Sequence, residues 1–141
     1  MNIRPAHKND LPQLDKLQSL NFDANTAENF KVIIENDIYI IIVAEENSEI
    51  IGYLCASKSI DSSDLLQICV AKEYRRKKVA TQLLTYYVSY LKRLNFTEIL
   101  LEVNENNKPA ISLYENFEFE KISTRKNYYG KDSAIIMKKY L

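Results

Sequence analysis

From Ala80 to Leu94 the apolar side chains recur at a single spacing: Ala80, Leu83, Leu84, Tyr87, Val88, Leu91 and Leu94. That is the stripe of an amphipathic helix of about four turns. A helix of this kind must bury its stripe against another layer. The segments on either side, Leu65–Ala71 and Glu98–Val103, are short apolar runs that read as strands. Strand, helix and strand in succession imply a crossover, and so parallel pairing.

The rest of the chain extends this unit. Met1–Pro5 reads as a short first strand. Asp10 is an N-cap candidate with Pro12 in the first turn, and Leu11, Leu14 and Leu17 fall at helical spacing, with Leu20 a candidate fourth. A second helix is expected to start near Asn25-Thr26, with Phe30, Ile33 and Ile34 on its apolar face. Ile38–Ala44 and Ile50–Ser57, joined by a polar turn, predict an antiparallel hairpin. After Val103, Asn106 or Asn107 can cap a helix with Pro109 in its first turn and Ala110, Leu113, Tyr114 and Phe117 inward. Phe119–Thr124 and Ser133–Tyr140 read as a closing strand pair around a loop holding Arg125 to Gly130. The two late crossovers predict parallel pairing, and the hairpins predict antiparallel pairing. A mixed α/β sheet with helices on both faces follows, and ligands on such sheets sit at the carboxyl ends of parallel strands.

The chain has 141 residues, and nothing in it marks an internal boundary, so 1–141 reads as one domain. Lys+Arg and Asp+Glu are both 19, which argues against a general nucleic-acid binder. The longest apolar run, Ile38–Ala44, is too short for a membrane span, and the N-terminus carries no signal-peptide core. Cys55 and Cys69 sit in apolar runs and read as reduced, buried thiols of a cytoplasmic protein. His7 is the only histidine, so no histidine-rich metal site is expected.

Three segments could carry chemistry. Val70 to Thr81 joins an apolar strand to the long helix and holds four consecutive cations, Arg75, Arg76, Lys77 and Lys78. Free N–H groups at a helix start attract anions, so a pyrophosphate fits there; a solvated basic turn fits the same residues. In Leu100-Leu101-Glu102-Val103-Asn104, alternation puts Glu98, Leu100 and Glu102 on one face. Glu102 is a general-base candidate or an exposed strand-end charge. In Asn107 to Glu115, Asn107 is a helix cap or a ligand contact, and Tyr114 a core ring or a proton donor.

In this order the segments resemble the GNAT N-acetyltransferases, most closely the RimI-type enzymes that acetylate protein N-termini. The resemblance rests on Leu101-Glu102-Val103, Asn107 with Ala110 to Glu115, Phe119, Arg125 to Tyr129, and Ala134 to Met137. It implies a mostly antiparallel sheet of about seven strands with one splayed parallel pair and about four helices. It also implies acetyl-CoA as cofactor. The family's phosphate loop, Gln/Arg-x-x-Gly-x-Gly/Ala, stands here as Arg75-Arg76-Lys77-Lys78-Val79-Ala80, with Lys78 in place of the middle glycine. By resemblance, backbone N–H groups from Arg76 to Thr81 wrap the pyrophosphate, and Lys78 serves provided its φ stays negative. The strand role at the pantetheine arm falls on Ile68, Cys69 and Val70, and the cofactor asparagine is Asn107.

The resemblance further makes Glu102 the base and Tyr114 the acid. It places acceptor contacts on Arg125, Tyr128 and Tyr129, opposite a wall from the early helices, Asp10 to Asn36. The implied reaction is direct transfer in a ternary complex to a primary amine, in particular a protein N-terminal α-amine. Phe22-Asp23-Ala24-Asn25-Thr26 lacks the family's aromatic-Pro-Trp feature, so a polyamine, amino acid or antibiotic amine is the rival acceptor. A non-catalytic acyl-CoA-binding module is the rival class. No nucleic-acid or membrane partner is implied, and the chain is expected as a monomer or homodimer.

Overall fold

The structure is a computed structural model describing residues 1–141. Its strands are β1 (Asn2–Pro5), β2 (Tyr39–Glu46), β3 (Glu49–Lys58), β4 (Ser62–Val70), β5 (Glu98–Asn104), β6 (Glu120–Tyr129) and β7 (Asp132–Tyr140). They form one seven-stranded sheet in the order β1-β2-β3-β4-β5-β7-β6. Every neighbouring pair is antiparallel except β4 and β5. The element order is the one expected from the sequence.

Helix α1 (Leu11–Asn21) and the single turn α2 (Phe30–Ile33) cover one face. Leu14, Leu17, Phe30 and Ile33 pack there against Ile41, Val43, Tyr53 and Cys69. Helices α3 (Val79–Arg93) and α4 (Lys108–Asn116) cover the other face. Val79, Leu83, Leu84, Tyr87, Leu91 and Tyr114 pack there against Ile42, Leu54, Leu65, Ile99 and Leu101. Leu83, Leu84 and Leu91 are fully buried, so truncating any of them to alanine should cost about 2–5 kcal/mol. Gly52 lets α3 approach β3: a Cβ there would lie 3.0 Å from the Cys69 carbonyl oxygen and 3.1 Å from the Val79 side chain.

Four expectations are corrected. Only the first crossover gives a parallel pair; β7 inserts between β5 and β6, so the strands joined by α4 are not neighbours. The second helix begins at Phe30, capped by Asn29, which accepts from Val32 N–H at 3.4 Å, and not near Asn25. Arg125 to Tyr129 belong to β6 rather than to a loop, and the hairpin turn is confined to Gly130 and Lys131. Asp10 precedes α1 but makes no cap to it. Its carboxylate turns back to accept from His7 N–H at 2.7 Å and from Arg4 at 2.8 and 3.0 Å. Arg4 also reaches Glu45, clasping β1 and β2 to the start of α1. Both cysteines are free and buried. Leu20 and Leu94, at the ends of their stripes, are exposed. No helix is long and apolar enough to cross a membrane.

Candidate active site

The parallel pair is short. β4 and β5 meet only from Ser62 to Leu65 and from Glu98 to Leu101. Beyond that point β4 follows β3 as far as Val70, while β5 follows β7 as far as Asn104. The sheet therefore opens in a wedge between the two carboxyl-terminal halves.

A bulge prepares the opening. Cys55 pairs with Gln67 and Ala56 with Leu65, which leaves Leu66 as the extra residue. Leu65 faces α3, yet Gln67 and Cys69 both face α1 and α2. The ladder also decides where backbone groups point. Ala71 N–H donates to Ile51 C=O at 2.8 Å. Antiparallel alternation then directs the N–H and C=O of Cys69 toward β3 and those of Ile68 and Val70 into the wedge. Of the three strand residues singled out from the sequence, two thus present backbone groups to the opening and Cys69 does not. Burial pushes the Cys69 thiol up to about 11, so it stays protonated and inert.

A cavity of about 820 Å³ fills the wedge. It brings together Ile68, Glu102, Asn107, Tyr114, Tyr128 and Tyr129. Ile99, Leu101 and Val103 of β5 pack with α3 and α4, so Glu102 projects from the opposite face, the side of α1 and α2. Tyr114 comes from α4 on the other side. Acid and phenol therefore reach one cavity from opposite faces of the sheet, through the gap. A smaller hollow of about 190 Å³ beside Tyr39, Tyr86 and Tyr90 holds no carboxylate, imidazole or ammonium group and is no rival.

Glu102 sits near the end of β5, and its Oε1 lies 3.0 Å from Arg125 Nη1 on β6. Arg125 does not line the cavity; it reaches it through Glu102 and lies over the Tyr128 ring at 5.2 Å. Tyr128 and Tyr129 meet edge to face at 5.0 Å. Tyr114 is 6% exposed, and burial, followed by nearby Tyr129, pushes its phenol up to about 12. As a phenol it holds its proton at neutral pH, and burial extends that range upward. Burial also raises the Tyr129 phenol, with Glu102 adding to the effect. Asn107 caps α4, its side chain accepting from Ala110 N–H at 3.3 Å, while Asn107 itself lines the cavity.

The anion end lies past β4. Lys78 is the residue before α3, and no side chain caps that helix, so its first N–H groups are unclaimed. Lys78 adopts φ 63° and ψ 23°, a left-handed conformation and not the negative φ expected of a lysine at the glycine position, so its N–H is offered only from a strained backbone. Arg76 is also left-handed at φ 63°. Arg76, Lys77 and Lys78 are exposed, and Lys77 Nζ lies 5.5 Å from the Tyr74 ring centroid. Arg75 is engaged elsewhere: it donates to Asn21 Oδ1 at 2.6 Å and to Val70 C=O at 3.3 Å. Val79, Ala80 and Thr81 supply the helix's first turn.

The segment from Phe22 to Glu28 forms the other wall. Sequence reading assigned that wall to the early helices as a whole and missed three residues in particular. Thr26 and Glu28 line the cavity, and burial raises the Glu28 carboxyl. Gln67 is 7% exposed within the apolar run Leu65–Val70. A lone amide in such a run must find partners when buried, and that was the available signal.

A two-faced cavity at splayed parallel strands, with an uncapped helix start beside it, is the arrangement expected of the acetyltransferase class. The sequence profile of the Acetyltransferase (GNAT) family matches residues 9–119. The chain belongs to that family, and is an acetyl-CoA-dependent N-acetyltransferase. It is 32% identical over 151 residues to an N-alpha-acetyltransferase of Saccharolobus solfataricus, covering 95% of this chain and 90% of that protein. It is 28% identical over 107 residues to the [ribosomal protein bS18]-alanine N-acetyltransferase of Escherichia coli strain K12, covering 73% of this chain and 72% of that one. The crystal structure of the ribosomal-protein-S18-alanine N-acetyltransferase from Escherichia coli superposes with a TM-score of 0.87 at 24% identity, covering 99% of this chain and 92% of that chain.

Proposed function

We propose that the chain acetylates the N-terminal α-amine of a protein or peptide, with residues 1–141 acting as a single catalytic unit. The carrying observation is the cavity through the sheet, with Glu102 on one face and Tyr114 on the other. The likeness to the Saccharolobus N-alpha-acetyltransferase supports the α-amine over other amines.

The residues fit acetyl-CoA. The unclaimed N–H groups of Val79, Ala80 and Thr81, with those of Arg76 to Lys78, suit a pyrophosphate, and the exposed cations add charge. The left-handed turns at Arg76 and Lys78 are the conformation that glycine supplies more easily, so this chain reaches the geometry at the cost of strain. The backbone groups of Ile68 and Val70 face the wedge, where an amide-bearing arm can pair with them as a further strand. Asn107 closes that side.

When bound, acetyl-CoA supplies an acetyl thioester. On the opposite face Glu102 accepts a proton from the acceptor ammonium, directly or through water. An α-amine has a pKa near 8, so one carboxylate is enough to generate the neutral form. The Val70 N–H is placed to donate to a carbonyl oxygen as charge grows on it. Tyr114, a protonated phenol at neutral pH, gives its proton to the departing sulfur. Tyr128 and Tyr129 form one wall of the acceptor groove and the Phe22–Glu28 segment the other, with Arg125 holding Glu102 between acceptors.

The test is thiol release from acetyl-CoA over matched acceptors: peptides with a free N-terminus and no lysine, the same peptides N-blocked with an internal lysine, and free polyamines. Mass spectrometry should place the acetyl group on the α-nitrogen of the first set. Turnover confined to lysine Nζ or to polyamines overturns the assignment. Tight acetyl-CoA binding with no turnover on any acceptor points to a non-catalytic acyl-CoA sensor.

A further inference from the structure

One buried amide stands between the strand that lines the wedge and the loop that forms the far wall. Gln67 lies on β4 between Leu66 and Ile68. Its Oε1 accepts from the Tyr53 hydroxyl, and its Nε2 donates to Thr26 C=O at 3.1 Å. Tyr53 is fully buried, and its ring meets Phe30, the first residue of α2, edge-on at 5.1 Å.

Residues 22–29 contain no helix or strand of their own. Two buried glutamines hold them from outside. Gln18 exchanges two bonds with Glu28, donating to its C=O at 2.9 Å and accepting from its N–H at 2.8 Å. Gln67 holds Thr26. The Gln18 clamp ties the loop to its own neighbour α1, whereas the Gln67 clamp ties it to a strand 41 residues away. That strand is hydrogen-bonded to β3 on one side only from Leu66 to Val70. A one-sided strand opens locally more easily than a central one. Anything that pairs with Ile68 and Val70 restrains Gln67, the residue just before Ile68, and ordering one element lowers the cost of ordering what it holds.

We propose that Gln67 is a positioning residue that passes the filling of the open edge of β4 to the acceptor loop through its bond to Thr26. The proposal rests on reading the wedge as the thioester site, but not on the identity of the acceptor. Its consequence is that the acceptor wall firms up through the Gln67–Thr26 bond when the cofactor arm is seated.

Amide hydrogen exchange with and without coenzyme A tests this. Tyr53→Phe removes one bond of Gln67 and keeps the other, so it serves as the control. The double variant Tyr53→Phe/Gln67→Leu removes both side-chain partners together and strands no buried hydroxyl, which guards against misfolding. In the wild type and in Tyr53→Phe, coenzyme A should slow exchange across residues 22–29 roughly three- to tenfold, the worth of one hydrogen bond. In the double variant the loop effect should vanish while β4 remains protected. The KM for whichever amine acceptor turns over should rise by a similar factor, with coenzyme A affinity within about twofold. Equal loop protection in the double variant, or none in the wild type, overturns the proposal. No protection of β4 in any variant overturns both the thioester site and this coupling, and it registers on the strand rather than on the loop.

Discussion

Arg125 Nη1 lies 3.0 Å from Glu102 Oε1, and the two side chains are 54% and 32% exposed. A pair this open is screened and contributes less than about 1 kcal/mol, so an incoming ammonium can displace the guanidinium. On the proposed reading Arg125 competes with the acceptor for the carboxylate. Arg125→Gln should lower the peptide KM roughly two- to fivefold at low ionic strength, with the difference fading toward about 0.5 M salt. A raised KM would mean that Arg125 touches the acceptor itself. Steady-state kinetics at two salt concentrations decide.

Removing the two proposed proton carriers has a sharper signature. Glu102→Gln and Tyr114→Phe should each lower kcat by roughly 10²–10⁴-fold with circular dichroism unchanged. Glu102 lines the open cavity with its side chain 32% exposed, so its amide causes no packing loss. Coenzyme A affinity, measured by calorimetry, should hold in both. Near-wild-type turnover in both folded variants would remove the acid–base pair from the reaction.

Lys78 carries φ 63° where the resembled loop has glycine. A side chain in the left-handed region costs about 1–2 kcal/mol, which glycine avoids. Lys78→Gly should therefore stabilise the chain by about 1 kcal/mol, a gain of roughly 3–5 °C in Tm for a chain of this size. Lys78→Ala keeps the strain and loses the same charge, so it should show no gain. Thermal melts of the two variants side by side test the backbone argument apart from the electrostatic one.

What could be read from the sequence follows the range of the interactions. The α3 stripe, the Asn107 cap and the β2–β3 hairpin depend on neighbours in the chain, and each was legible. Glu102 and Tyr114 were visible as candidates, but their meeting in one cavity follows from β4 and β5 parting after Leu65 and Leu101, which no local pattern announces. The start of α2 was misplaced because residues 25–28 are held by a local turn on Asp23 and, from outside, by Gln18 and Gln67, so the helix begins only after the Asn29 cap. The Arg125–Tyr129 run looked like a loop because every residue of β6 is exposed, so alternation has nothing to mark. Asn127, left-handed at φ 57°, sits in the bulge that further breaks its register. The orientation of Ile68 and Val70 into the wedge depends on the bulge at Leu66, itself set by pairing with β3.

The burial that raises the Tyr114 phenol predicts how the fold fails in alkali. Its phenol moves from 10.0 to about 12 in the folded chain, and those of Tyr53 and Tyr87 are raised too, first by desolvation. The thiols of Cys55 and Cys69 rise from 9.0 to about 12 and about 11 for the same reason. A group whose folded pKa exceeds its unfolded value binds more protons in the folded state between the two, so stability falls as pH rises through that window. Stability should be full below about pH 9 and decline toward pH 12, with Tyr114 alone accounting for about 2–3 kcal/mol. Urea midpoints at pH 7, 9 and 11 measure the decline. Tyr114→Phe has no proton to lose, so its midpoint should fall less between pH 9 and 11 than that of the wild type, even though the variant is catalytically poor at pH 7. A parallel decline in the two proteins would place the Tyr114 hydroxyl in water, and its role as a buried proton donor would then fail with it.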